Sequence, residues 1–478
     1  MPDELDKLAE LHKRLGLKTG AQWVKEREIA GSHPPDGIPE PLERPGGGPE
    51  VFTQQKDLLR RLTERLNLMQ GSEWVRQHEE LEQRRAAGEF EIDTVVPGQL
   101  VPEENGAFYL VRHDFPLDYR QGNVELGAVL QGASKHIAFS ACDPGLEDFD
   151  VRKTMFMDTE TIGLAGGAGT VAFLVGAGYF TEDGFRLDQC FMRDYDDEEP
   201  MLRYVARLLG NAEAVVSYNG KSFDLPLLRT RFVQNRLPFR GDSILHYDLV
   251  HVARRFWKRR LADCSLGNIE REVLGVRRHG DIPSFLIPQM WFDYLNTRDA
   301  GPLKPVFYHH RMDILSLVAL TAWLCQCLER PVGESFEHTE DRLSLVRLHF
   351  KQKHYADVVE HANAFLERED RSPLRRECLE MLAMACKRLQ RYVEMQQAWE
   401  LVLDEFPSDI TARLELAKHH EHRTRDLPAA EKLLADAVER YDPAPATLAR
   451  LERIRRKLAK GRRGMDLSND ADDDLEPA

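Results

Sequence analysis

At 478 residues the chain is too long for one ordinary core, which predicts two to four domains. Its 42% hydrophobic and 30% charged composition is that of a globular protein. No apolar run approaches a bilayer span, and the polar start MPDELDKLAELHKRLG lacks a secretion signal's apolar core, so a cytoplasmic location and no membrane partner are expected. Seven cysteines form no C-x-x-C pair, which argues against a zinc ribbon or a disulfide framework. The net charge of −15 argues against a nucleic-acid partner only as an average, because residues 201–330 hold 19 Lys+Arg against 12 Asp+Glu.

The first hundred residues contain a duplication offset by 51 positions, in which Leu8, Leu11, Leu15, Gly20 and Trp23 fall on Leu59, Leu62, Leu66, Gly71 and Trp74. Each copy has the apolar spacing of an amphipathic helix followed by a glycine turn. Residues 1–89 therefore read as two helical hairpins, either packed on the body or docking a partner, with a Pro/Gly linker at 31–50. From 90 to 150 a β-rich lead-in is expected, with GAFYLVRHDF and ASKHIAFSA as strands. Residues 151–330 follow with strands at 154–160, 170–180, 185–192 and 214–218. Helices are expected at 198–209, 222–236, 248–258 and 311–328, which defines a mixed α/β sheet.

From 340 to 460 the apolar period is helical throughout. Tyr355, Tyr392 and Leu427 open similar second helices 35 to 37 residues apart, the spacing of tetratricopeptide-like helix pairs. The stretch from 461 to the end is acidic and predicted to be disordered.

Three segments carry chemistry. In KTMFMDTETIGL, strand alternation puts Asp158 and Glu160 on one side, where two close like charges call for a hard divalent cation. In VVSYNGKSFDLPLLRTRF a strand runs into Asn219-Gly220 and then a helix, so Asp224 is either a helix-start charge or a third ligand, with Asn219 and Phe223 offering an amide and a ring to a nucleic-acid end. In VFYHHRMDILSL, His309 stands four residues before Asp313, on the same helix face, as a proton acceptor beside a metal ligand; His310 competes for that role. The cluster RRFWKRR sets Arg254 and Trp257 in a basic run, as a phosphate-binding and stacking platform or as a solvated helix face.

Together these segments resemble the three motifs of the DEDD superfamily, the DnaQ-like 3′-to-5′ exonucleases of ribonuclease H-like fold. They are most similar to its YprB-like (mitomycin repair factor B-like) branch, which adds C-terminal tetratricopeptide repeats. The stretches carrying the resemblance are MDTETIGLAGGAGTVAFLVGAGYF, SYNGKSFDLPLLRTRF, CSLGNIEREVLGVRR-x-x-DIP and HHRMDILSL.

The resemblance implies an α/β ribonuclease H-like mixed sheet with flanking helices, followed by all-α helix-pair repeats. It places two Mg²⁺ or Mn²⁺ ions on Asp158, Glu160, Asp224 and Asp313, and the general base on His309. The histidine subclass spaces its base five residues before the last Asp and the tyrosine subclass four; here Tyr308 stands at five and His309 at four, as in the YprB-like pattern. Thr161, Gly163, Asn219, Phe223, Arg254 and Trp257 are the expected substrate contacts, and the Gly-rich turn at 164–170 would let backbone amides approach the strand end.

The implied activity is metal-assisted hydrolysis of nucleic acid from its 3′ end, of DNA rather than RNA and in repair, with a helicase or other protein bound by the repeats. The alternatives are an adaptor that binds without cutting and an exoribonuclease.

Overall fold

The order of β and α segments dictates a sheet whose central strand ends at the acidic motif. In the computed structural model, residues 80, 83–84, 87–163, 169–441 and 444–469 are described, the last nine as backbone only. The duplicated N-terminal segment, most of the Gly-rich turn, Asp442-Pro443 and the end of the tail lie outside them.

Strands β1 (Gln99–Glu103) and β2 (Gly106–Phe115) form a hairpin, and helix α1 (Ser134–Ala141) follows. Then come β3 (Thr154–Thr161), β4 (Ala172–Phe180), β5 (Phe185–Phe191), α2 (Glu198–Asn211), β6 (Ala214–Ser217), α3 (Asp224–Gln234), β7 (Leu245–Asp248) and α4 (Leu249–Trp257). The strands make one seven-stranded sheet in the order β1-β2-β5-β4-β3-β6-β7. Pairing is antiparallel from β1 to β3 and parallel across β3, β6 and β7. The β1–β2 hairpin of the lead-in segment is thus part of the same sheet.

Alternation along β3 divides the core. Met155 and Met157 face one apolar cluster with Phe173 and Trp291, while Phe156 faces another with Phe185 and Ile314. The second face is covered by α7 (Leu303–Glu329), which is preceded by α5 (Leu266–Ile269) and α6 (Ile287–Thr297). At 27 residues α7 is long and apolar enough to cross a membrane by composition, contrary to the expectation from sequence, but most of its apolar stretch is buried within the protein. It also starts eight residues before the expected 311, because Leu303, Val306, Phe307, His310 and Ile314 form one continuous buried stripe.

Two glycines let α7 approach the sheet. A Cβ on Gly176 would lie 2.1 Å from Ile314 Cδ1 and 2.4 Å from His310 Cε1, and one on Gly178 would lie 2.9 Å from Ile314 Cγ2.

Two expected features need correcting. ASKHIAFSA is helix α1, whose Ile137, Ala138 and Ser140 are buried at helical spacing, and it ends at the left-handed Cys142 (φ 53°). Trp257 is fully buried, packed on Trp323 (5.6 Å between centroids) and Phe256 (5.9 Å), so it offers no stacking surface to a nucleic acid.

Among the described residues seven α-helices follow: α8 (Thr339–Lys351), α9 (Tyr355–Leu366), α10 (Pro373–Arg388), α11 (Tyr392–Glu405), α12 (Ile410–His419), α13 (Leu427–Tyr441) and α14 (Pro445–Asn469). Tyr355, Tyr392 and Leu427 do open the second helix of successive pairs. The last helix runs past 461, so the stretch from 461 to 469 is helical rather than disordered. The described residues from 83 onward belong to one compact unit, in which Leu345 and Leu348 of α8 join the core that holds α4 and α7.

The basic run on α4 fastens this seam. Arg260 pairs with the buried Asp341 at 2.9 Å and Arg259 with Glu377 at 3.1 Å. Of that run, Arg254 is exposed.

Gly176→Ala should destabilise the fold by about 1–3 kcal/mol, since His310 is held on both ring nitrogens and cannot swing aside. Urea unfolding followed by circular dichroism measures this, with Gly163→Ala, whose Cβ would meet nothing within 4 Å, as the neutral comparison.

Candidate active site

Asp158 and Glu160 project from the end of β3 toward α7, on the same face as Phe156. Asp158 pairs across the sheet with Gly176 and Glu160 with Leu174, and the register shifts between Glu160 and Thr161, where the strand leaves the ladder.

The two adjacent histidines of α7 have different surroundings. His310 is fully buried: Gln189 Nε2 donates to its Nδ1 at 2.9 Å, so its Nε2–H donates to the Asp158 carbonyl oxygen at 3.1 Å. Burial pushes its imidazole down to about 4, and it acts as a neutral strut between β3, β5 and α7. His309 lies in the groove. Its Nδ1 is 2.7 Å from Asp281 Oδ1 and must donate to that carboxylate, which leaves the lone pair on Nε2, 3.3 Å from Asp313 Oδ2. The four-residue spacing on one helix face is therefore realised between His309 and Asp313.

Asp224 opens α3 from beneath the other sheet face and is buried. Thr159 Oγ1 donates to its Oδ1, which ties it to β3 between Asp158 and Glu160. The turn before it is shaped by Asp248, whose carboxylate accepts the N–H of Asn219 at 2.8 Å and of Lys221 at 3.0 Å while Asn219 sits at φ 71°. Only a short polar residue or glycine adopts that backbone easily, so the Asn has a structural reason to be there besides substrate contact.

The acidic groups feel one another. Burial first, then the charges of Asp313, Asp224 and Glu160, hold the Asp158 carboxyl well above the usual range. Burial, Asp313 and Asp224 do the same to Glu160. Burial lifts Asp224 to about 6, despite the Thr159 hydrogen bond that opposes it.

Sequence reasoning assigned no role to three charged neighbours. Arg278 donates through Nε to Glu270 Oε2 at 2.7 Å and through Nη2 to Asp313 Oδ1. Glu270 stands in the π-helical turn Glu270–Leu274 after α5 and also accepts from Ser316 of α7. Asp281 orients His309. All three lie in the quoted stretch CSLGNIEREVLGVRR-x-x-DIP, so the signal was present as a motif without a chemical reading. Asp158, Tyr218, Arg271, Arg277, His309 and Asp313 are among the residues lining a groove of about 790 Å³.

Six carboxyls gather here, Asp158, Glu160, Asp224, Glu270, Asp281 and Asp313, with the Arg278 guanidinium paired to Glu270, Asp281 and Asp313. Donor atoms of Glu160, His309 and Asp313 all lie within 4.8 Å of one another. A set of acceptors this dense, with a histidine lone pair among them, fits a divalent cation.

Of the expected substrate contacts, Thr161 Oγ1 donates to the Gly163 carbonyl at 3.1 Å, Asn219 is exposed and Phe223 half-buried beside Asp224. Trp257 is withdrawn into the core, as described above, while Arg254 remains exposed on α4. Arg229 and Arg231 of the basic segment are paired with Asp242 at 3.1 Å and Glu198 at 2.6 Å.

A carboxyl lifted from 3.8 to about 6 binds its proton more tightly in the folded state. It therefore destabilises the metal-free protein above its folded value, and that cost disappears as pH falls through about 6 toward 3.8. Asp224→Asn in chelator should melt higher than the parent at pH 7, by up to about 2–3 kcal/mol. The advantage should vanish near pH 4, which thermal scans across pH would check.

The geometry can be set beside known proteins. A family model described as RNase_H superfamily matches residues 155–325. The uncharacterized protein YprB of Bacillus subtilis (strain 168) is 30% identical over 322 residues, covering 65% of this chain and 76% of that protein. A slighter likeness, with a TM-score of 0.30 and 15% identity, is to the structure of the family B DNA polymerase from the hyperthermophilic archaeon Pyrobaculum calidifontis. It spans 42% of this chain and 29% of the polymerase, too weak a match to bear on function. The mixed sheet with flanking helices fits the ribonuclease H-like fold, and the chain belongs to the YprB family, with an RNase H superfamily nuclease domain followed by a helical region.

Proposed function

We propose that this site is a DEDD-type exonuclease centre that removes nucleotides from the 3′ end of DNA, in a repair context. The observation carrying this reading is the convergence of Asp158, Glu160, Asp224 and Asp313, drawn from β3, α3 and α7, beside a histidine whose Nε2 faces Asp313.

Two divalent ions, Mg²⁺ or Mn²⁺, held by those four carboxylates would supply the charge stabilisation that phosphodiester hydrolysis requires. The chain's own residues do the rest. His309 Nε2 accepts the proton of the attacking water, and Asp281 holds the ring in that tautomer and stabilises the imidazolium that forms. The water oxygen bonds to phosphorus, the bond from phosphorus to the 3′ oxygen breaks, and a nucleoside 5′-monophosphate leaves. Arg278 keeps Asp313 and Glu270 from repelling each other and fixes the Asp313 carboxylate in rotation. Asn219, exposed in the turn before α3, and Phe223, half-buried beside Asp224, are read as contacts for the terminal nucleotide. The helix pairs from α8 onward are read as tetratricopeptide-like repeats that recruit a protein partner such as a helicase.

End-labelled single- and double-stranded DNA, with matched RNA, incubated in Mg²⁺ or Mn²⁺ tests the reading. Mononucleotides should be released from the 3′ end of DNA, and Asp158→Asn or Asp313→Asn should lower the rate at least about a hundredfold. Full activity in either variant would remove the site assignment, and preference for RNA would move the substrate. Asp281→Ala should lower kcat by about tenfold to a hundredfold with KM little changed, because it disorients the base without touching substrate.

A further inference from the structure

A second group of metal-ligating side chains lies far along the chain from the nuclease motifs, where the helical region meets α1. Helix α8 ends in the left-handed Lys353 (φ 64°), and the chain turns into α9 through two backbone bonds. Lys353 N–H donates to Phe350 O at 3.1 Å and His354 N–H to His349 O at 3.0 Å. This pattern brings the residue in the last helical turn beside the one that leaves it, so His349 and His354 become neighbours, with Asp357 one turn into α9.

The next hairpin makes the same turn. Gln390 sits at φ 62°, its N–H donates to Lys387 O at 3.2 Å, and Arg391 N–H donates to Cys386 O at 2.8 Å. There the positions of His349, His354 and Asp357, 37 residues on, are occupied by Cys386, Arg391 and Glu394. The turn itself therefore needs no histidine, and the pair in the first hairpin has another cause.

His349 Nδ1 is buried without a hydrogen bond. The carboxylate oxygen Asp357 Oδ2 stands 3.7 Å from it, across a gap too wide for one. Donor atoms of His349, His354 and Asp357 all lie within 4.8 Å of one another. Two ligands of a tetrahedral zinc-class ion stand about 3.3 Å apart, given bonds of about 2.0–2.2 Å, so a small movement of the surface residues His354 and Asp357 closes the set. Phe139 of α1 holds the ring planes, at 4.5 Å from His349 and stacked at 6.0 Å on His354. All of these side chains line a cavity of about 500 Å³.

We propose that His349, His354 and Asp357 bind a borderline divalent transition metal of the zinc class, clasping the first helical hairpin at its seam with the nuclease domain. Two imidazoles and one carboxylate suit such an ion and not Mg²⁺, which keeps this site distinct from the carboxylate cluster at β3.

Chelator-stripped full-length protein, titrated with Zn²⁺ in excess Mg²⁺ by calorimetry, tests this directly. One equivalent should bind in the wild type and in Asp158→Asn. In His354→Ala or Asp357→Asn, both changes at the surface, affinity should fall more than about tenfold. Co²⁺ in place of Zn²⁺ should give the visible absorbance of a nitrogen-ligated low-coordinate ion, lost in the same two variants. The proposal is overturned if the wild type binds no Zn²⁺ once Mg²⁺ is present, or if both variants bind it like the wild type. It is also overturned if binding is lost in Asp158→Asn and kept in His354→Ala, which would place the zinc at β3.

Discussion

Mutual repulsion among acidic side chains at the end of β3 is the constraint around which this structure is arranged. Six carboxyls gather there, three of them paired with Arg278, and burial raises the proton affinity of Asp158, Glu160 and Asp224 beyond what an exposed acid shows. A fold that concentrates charge in this way gives up stability there and must be held by packing elsewhere. The two apolar clusters on either side of β3 and the close approach of α7 over Gly176 and Gly178 provide that packing. A divalent cation held among Glu160, His309 and Asp313 would offset that repulsion.

Helix α7 converts this constraint into geometry. Successive residues on a helix are turned by about 100°, so His309 and His310 look in different directions. One enters the sheet and props the backbone of Asp158; the other enters the groove and is oriented by Asp281. One turn further on, Asp313 repeats the direction of His309 and meets Arg278. The same helix thus supplies core, strut and the His309–Asp313 pair of the groove, and it is both the longest among the described residues and among the most completely buried.

Much of this was legible in the amino-acid sequence, for reasons that differ from place to place. Alternation in TMFMDTET and the helical stripe after Asp313 are local signals, and both elements appear where those periods put them, although the helix starts earlier than its most apolar part. ASKHIAFSA misled because an eight-residue helix with small and apolar residues mixed has almost the same alternation as a strand. RRFWKRR misled for a different reason. Periodicity says which residues share a face but not what that face meets, and here Trp257 turns inward while Arg259 and Arg260 reach the helical region. Arg278, Glu270 and Asp281 were unreadable as chemistry because their roles exist only through contact with α7, more than two dozen residues later in the chain.

The basic segment that seemed to offset an acidic chain is largely spent on internal pairing: Arg229 with Asp242, Arg231 with Glu198, Arg260 with Asp341. Charge counting along a sequence cannot separate a cation that faces a polyanion from one already matched inside the fold. What remains for a nucleic acid is the groove itself, where Arg271 and Arg277 line one wall and the carboxyl cluster forms the floor. Three arginines, Arg271, Arg277 and Arg278, do not offset that many acids, so a polyanion would need cations held at the floor of the groove. On that reading substrate and cation binding in the groove would be coupled, and the seam with the helical region, built from α4 and α8, holds the groove's supporting elements in place.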